Sequence, residues 1–175
     1  MKYIICILLM SSCIIRFVGV HHDYDLLSPQ EKERIKKLET FDSLQSNYVY
    51  EINAPQLLLA LAAHEKSLVY MFANGCTSDN CIPLSNIERF AEDNDYQLFL
   101  IMNGYYNLDK SLSQQFDSPL FSINSDYYGS SKIKKYKTAF KKELGYYQVS
   151  KEQKHPGSYL FFSKDSLIEI KKSIE

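Results

Sequence analysis

Apolar positions along this chain recur with two periods. Within Ser67 to Ala73 and Tyr96 to Met102 the runs Leu68 to Ala73 and Leu98 to Met102 are apolar at consecutive positions, the pattern of strands covered on both faces in a parallel sheet. Tyr48 to Ile52 has strand character, with aromatic and β-branched residues. Pro55 opens a strongly apolar helix through Ala63, and Leu84, Ile87, Phe90 and Ala91 make one stripe of a helix over Leu84 to Asp93. Leu108, Leu112 and Phe116 mark a short helix, and Leu120 to Ile123 a short strand after Pro119. Ile133, Tyr136, Phe140 and Leu144 share one face of a basic helix that Gly145 stops. Ser158 to Phe162 and Leu167 to Ile170 read as the last two strands, joined at Lys164-Asp165. Alternating strands and helices predict an α/β fold with parallel central strands.

Upstream of this domain, Ser28, Pro29 and Glu31 have the order of a capping box with proline at the first helical position. Ile35, Leu38 and Phe41 then follow at helical spacing, so an added N-terminal helix is expected over 28–46, ahead of a domain over 47–175. Residues 13–27 read as a tether. His21-His22-Asp23 within it lacks a third placed ligand and reads as solvated.

Composition excludes little. Twenty basic and 21 acidic residues leave no cationic surplus for nucleic acid. The chain starts differently: Lys2 is followed by the apolar run Tyr3 to Met10 and by the small residues Ser11 and Ser12, the order of a signal peptide over 1–12. Met10-Ser11-Ser12-Cys13 resembles a bacterial lipoprotein lipobox. That resemblance implies lipidation at Cys13, a membrane anchor, and a domain in the cell envelope facing the periplasm or the exterior. The competing expectation is an uncleaved anchor from Tyr3 to Val20; Arg16 interrupts it, and it barely reaches the ~20 residues a spanning helix needs. With Cys6 removed and Cys13 lipidated, Cys76 and Cys81 remain to pair in an oxidising compartment.

Those two cysteines lie between the apolar strand ending at Ala73 and the helix beginning near Leu84. The positive end of a helix dipole stabilises a thiolate in such a loop, while Asp79 opposes it by like-charge repulsion. In a redox reading Cys76, exposed in the loop before the helix, is the attacking thiol and Cys81 the resolving one. The alternatives are a structural Cys76–Cys81 disulfide and two unpaired thiols.

This order, together with Ser118 to Ile123 and with His155-Pro156 leading into the strand at Ser158, resembles the thioredoxin superfamily, and in particular the membrane-tethered TlpA/ResA-like redoxins. The resemblance covers about 48–170. It implies a three-layer thioredoxin-like fold with a central mixed sheet and thiol–disulfide exchange with an envelope protein substrate or redox partner, without a cofactor. Pro156 would shape the substrate groove. Four residues separate the cysteines where the family usually has two, no tryptophan precedes Cys76, and the closing helix is short or missing; the helix over 28–46 is expected to cover the face it would protect. Cys76 through Pro83 also resembles the copper loop of the Sco-type assembly factors, which implies copper held by Cys76, Cys81 and His155. A third reading is a non-catalytic binding protein of the same fold. His64 is expected to partner a helix C-terminus, the pairs Tyr105-Tyr106, Tyr127-Tyr128 and Tyr146-Tyr147 to pack loops on the core, and the lysines of 132–142 to form a solvated face.

Overall fold

The computed structural model describes residues 18–75, 82–153 and 157–174. A single 3-10 turn, Tyr24–Leu26, precedes α1 (Pro29–Glu33) and β1 (Ile35–Lys37). The domain continues through β2 (Val49–Ile52), α2 (Ala54–Ala62), β3 (Ser67–Phe72), α3 (Leu84–Asp93), β4 (Gln97–Met102) and α4 (Leu108–Leu112). It ends with β5 (Leu120–Ile123), α5 (Ile133–Glu143), α6 (Tyr146–Gln153), β6 (Tyr159–Ser163) and β7 (Ser166–Lys171). The strands form one mixed sheet in the order β1-β2-β5-β4-β3-β6-β7. The first five in that order run parallel; β6 pairs antiparallel with β3, and β7 antiparallel with β6 at the edge.

Strand alternation divides the core in two. Val69, Met71, Phe99 and Ile101 face one layer with Leu57 and Leu61 of α2, Tyr136 and Phe140 of α5, and Tyr146 of α6. Leu68, Phe72, Leu98, Leu100 and Met102 face the opposite layer, with Leu84, Ile87 and Ala91 of α3 and Leu108 of α4. Helices therefore cover both faces of the sheet. The runs apolar at every position are those that must satisfy both layers, which is why β3 and β4 occupy the middle.

The helix expected over 28–46 is corrected. The capping box is present: Ser28 N donates to Glu31 Oε2 at 2.8 Å, and Glu31 N donates to Ser28 Oγ at 3.3 Å. The helix nevertheless ends at Glu33. Ile35 to Lys37 then pair in parallel with Val49 to Glu51. Ile35 packs in the α3 layer, whereas Leu38 and Phe41 pack in the α2 layer. A spacing of three puts residues on one side of a helix but on opposite sides of a strand, and the open edge of β2 selects the strand.

The tether expected over 13–27 is also corrected for its described part. Ile133 N donates to Val20 O at 3.0 Å, His22 N to Ser131 O at 2.9 Å, and Tyr105 N to His22 O at 2.8 Å. The segment is thus tied to the loops after β4 and β5, and Leu27 is buried. Met1 to Phe17, including Cys13, lie outside the described residues.

A helix the periodicity did not suggest, α6, follows directly on Gly145, which takes φ +77°. Gly145 does stop α5, and the chain turns there into a second helix whose Tyr146 and Val149 reach the α2 layer. The His64 ring meets Phe99 edge-on at 6.3 Å. The tyrosine pairs divide unequally: Tyr105 and Tyr146 are buried and Tyr128 half-buried, whereas Tyr106, Tyr127 and Tyr147 are exposed.

The basic face of α5 is not wholly solvated. Burial, and then the neighbouring Lys137 charge, lower the Lys141 pKa from 10.5 to about 8. Its Nζ lies 3.9 Å from the Tyr146 ring centroid, a contact that favours the ammonium and offsets part of this effect. Above pH 8 the folded chain loses this proton while the unfolded chain keeps it to about 10.5, so folding stability should rise with pH across that window. Urea unfolding between pH 7 and 10 should show the rise in the native sequence and a flatter profile in Lys141→Met.

Candidate functional site

The carboxyl end of β3 delivers the chain to Ala73, Asn74 and Gly75, and α3 takes it up again after Ile82 and Pro83. Both ends of this crossover are fixed. Asn74 is buried; its Nδ2 donates to Gly104 O at 2.7 Å and its Oδ1 accepts from Ser111 Oγ at 2.8 Å. Those bonds join the end of β3 to the loop after β4 and to α4. Gly75 has φ +60°, and a Cβ there would lie 2.6 Å from Asn107 Nδ2, so the turn needs glycine for its conformation and for space. At the other end Leu84 N donates to Gln114 Oε1 at 2.9 Å. No acidic residue occupies the first turn of α3, so its end of the dipole stays positive.

A cleft of about 590 Å³ opens here. Its walls include Gly75, Ile82 and Pro83, the described flanks of the cysteine segment, and Ser158, two residues beyond Pro156. Tyr70 and Phe72 give it an aromatic wall; Tyr70 stacks on Phe72 at 5.4 Å and on Tyr159 at 4.5 Å between centroids. Burial raises the Tyr70 pKa, so its hydroxyl remains protonated at neutral pH. Lys110 adds a cation to the rim, and Asn103, whose buried Oδ1 has no hydrogen-bond donor, adds an open acceptor.

Cys76, Cys81, His155 and Pro156 lie outside the described residues. Their described neighbours converge on the one cleft, although 75 and 158 are far apart in sequence. Among the described residues no three histidine, cysteine or acidic side chains gather as a metal site.

Sequence reasoning missed the residue that fixes the segment after Pro156. Tyr146, buried at the start of α6, donates from its hydroxyl to Gly157 O at 3.0 Å and accepts from Gly157 N at 2.9 Å. One phenol thus holds both polar groups of the residue next to the proline. Ser158 continues the anchoring, its O accepting from Met71 N at 2.9 Å and its N donating to Lys171 O at 3.1 Å. The doublet Tyr146-Tyr147 was the only sequence signal, and nothing in it distinguishes a clamp from ordinary packing. Tyr146→Phe removes both bonds while keeping the ring. It should cost about 1–3 kcal/mol in urea unfolding, the range for leaving buried polar groups unpaired.

No family model matches this chain, and no curated protein or solved structure is significantly similar to it.

Proposed function

We propose that this chain is a thioredoxin-like envelope lipoprotein, anchored through Cys13, that exchanges disulfides with another envelope protein through Cys76 and Cys81. The observation that carries the reading is the cleft where the two flanks of the cysteine segment meet Ser158, just past Pro156. Three further features support it. The segment joins the carboxyl end of a central parallel strand to a helix N-terminus. The strand after Pro156 lies antiparallel beside β3 and is followed by a hairpin partner. The strand at Leu120 to Ile123, part of the stretch that carries the resemblance, is inserted between β2 and β4.

The chemistry balances with two protein thiols and one substrate disulfide. The Cys76 thiolate attacks a substrate sulfur, the substrate S–S bond breaks, and a mixed disulfide forms as the first substrate thiolate leaves. The Cys81 thiolate then attacks Cys76 Sγ, releasing the second substrate thiolate and closing the Cys76–Cys81 bond. Two electrons pass from the protein to the substrate; the reverse sequence oxidises a substrate dithiol. The α3 dipole and the Lys110 cation both favour the thiolate form.

The test is a redox titration of the full-length protein in detergent against glutathione or dithiothreitol, with insulin reduction as the activity readout. A reversible two-electron transition above about −300 mV that is absent in Cys76→Ser is the expected result. Exchange that persists in Cys76→Ser would overturn the assignment. A bond far harder to reduce would make the pair structural, and stoichiometric Cu(I) uptake lost in His155→Ala would make the site a copper carrier.

A further inference from the structure

A second cleft, of about 320 Å³, shares no described lining residue with the first and opens beyond the carboxyl ends of β2, β4 and β5. Its position follows from the winding of the sheet. The chain leaves β4 toward α4, in the layer that also holds α3, and leaves the adjacent β5 toward α5, in the layer that holds α2. Neighbouring strands whose connections diverge to opposite faces open a crevice at their carboxyl ends, the usual ligand position in open α/β sheets. Tyr105 lines this crevice from beyond β4, and Asp126 from beyond β5. Glu51 of β2 and Lys37 of β1 extend it, and the segment tied down at Val20 and His22 brings in the His22 ring.

The floor is preorganised. Tyr105 is buried, its hydroxyl donating to Glu51 Oε1 at 3.0 Å and accepting from Ser122 Oγ at 2.8 Å. Burial first, and then the Glu51 carboxylate, push the Tyr105 pKa well above 10.0, so this donor keeps its proton. Tyr24 N donates to His22 Nδ1 at 3.0 Å, which places the proton of the neutral imidazole on Nε2. Lys37 and Glu51 are direct cross-strand neighbours, yet the ion pairs among the described residues are Lys164–Glu65 and Lys171–Glu169. The ammonium and the carboxylate are therefore not spent on each other.

Charge selects the ligand. A simple anion would meet Glu51 and Asp126, and a simple polyamine would meet Lys37, so each places like charges together. A neutral sugar can hydrogen-bond these groups through its hydroxyls but brings no charge to balance either sign. A metal ion lacks a converging donor set, since no group of three such ligands exists among the described residues. A molecule carrying one ammonium and one carboxylate satisfies both signs at once with charge-assisted hydrogen bonds. The volume stands at the low end of small-molecule sites and suits a ligand of amino-acid size. We infer that this cleft is a binding site for a small zwitterion, a free α-amino acid, with its ammonium at Glu51 and Asp126 and its carboxylate at Lys37 and the His22 Nε2–H.

Equilibrium dialysis of the full-length protein in detergent tests this, using the twenty common L-amino acids singly, with glucose and inorganic phosphate as comparison probes. At least one amino acid should bind saturably, at one site per chain. Its N-acetyl and carboxamide derivatives, each lacking one charge, should bind at least tenfold more weakly. Glu51→Gln and Lys37→Met should each weaken the amino acid tenfold or more, Lys37→Met at an unchanged melting temperature, since Lys37 is exposed on an edge strand and makes no ion pair among the described residues. Absence of saturable binding would overturn the inference. So would equal binding of glucose or phosphate, or affinity that neither substitution alters. The outcome is independent of Cys76 and can be read in Cys76→Ser.

Discussion

Gly157→Ala should destabilise the protein by about 3 kcal/mol or more, at the upper end for forcing an extra carbon into a filled space. A Cβ at this position would stand 2.1 Å from Lys171 O, 2.5 Å from Lys171 C and 2.9 Å from Ile170 Cγ2. The first two are backbone atoms and cannot rotate away. Lys171 O is also the acceptor for Ser158 N, the bond that continues the β6–β7 ladder toward the cleft. The added methyl must therefore part the hairpin, lift Gly157 from the Tyr146 hydroxyl, or do both. Thermal unfolding should fall by roughly 6–12 °C, taking about 2–4 °C per kcal/mol for a domain of this size. Gly129→Ala is the matched control: Gly129 has φ +60° but no atom within 4 Å of the methyl that alanine would add, so only the backbone strain of about 1–2 kcal/mol applies. Equal losses in the two variants would show that the close approach at Lys171 is absent.

Leu57→Ala should cost about 2–5 kcal/mol and Leu59→Ala less than about 0.5 kcal/mol, although the two leucines stand two residues apart in one helix. Leu57 is 0 % exposed in the layer between the sheet and α5, whereas Leu59 is 76 % exposed. Truncating Leu57 leaves a cavity that its neighbours cannot wholly fill. Truncating Leu59 removes carbon from water and substitutes the best helix former. Urea unfolding of both variants checks this, and similar losses would mean that α2 is rotated from the orientation described.

The same helix shows how far the sequence reaches. Pro55 and the leucine run mark α2, and the structure adds a capping box in which Asn53 Oδ1 accepts from Gln56 N and Gln56 Oε1 from Asn53 N. Which leucine is buried cannot be read from Leu57-Leu58-Leu59, because an unbroken run carries no phase. At residues 28–41 the capping signal was true and its extension was not. A spacing of three between Ile35 and Leu38 fits either element, and the choice fell to a pairing partner, β2, lying 14 residues downstream. Tyr146 to Gln153 failed differently: its apolar residues are few, and helix α6 is held by Tyr146, Val149 and the polar clamp on Gly157.

The candidate cysteine site was legible as an order of elements, strand, cysteine loop and helix. Its walls were not, because Asn103, Gln114 and Ser158 reach the cleft from three other connections. The amino-acid cleft left no trace in the sequence at all, since Lys37, Glu51, Tyr105 and Asp126 share no motif and meet only through strand order.

By itself, then, the chain determined most of its elements, the burial of β3 and β4 on both faces, and the glycine that ends α5, because each follows from the local order of apolar, polar and glycine residues. Only the tertiary structure decided the insertion of β5 between β2 and β4, the change of Ile35 to Lys37 from helix to edge strand, and the docking of Val20 to Leu27 on the loops after β4 and β5. Those outcomes rest on backbone hydrogen bonds and burial between distant segments, and no local pattern of apolar and polar residues encodes which distant partner will be nearest.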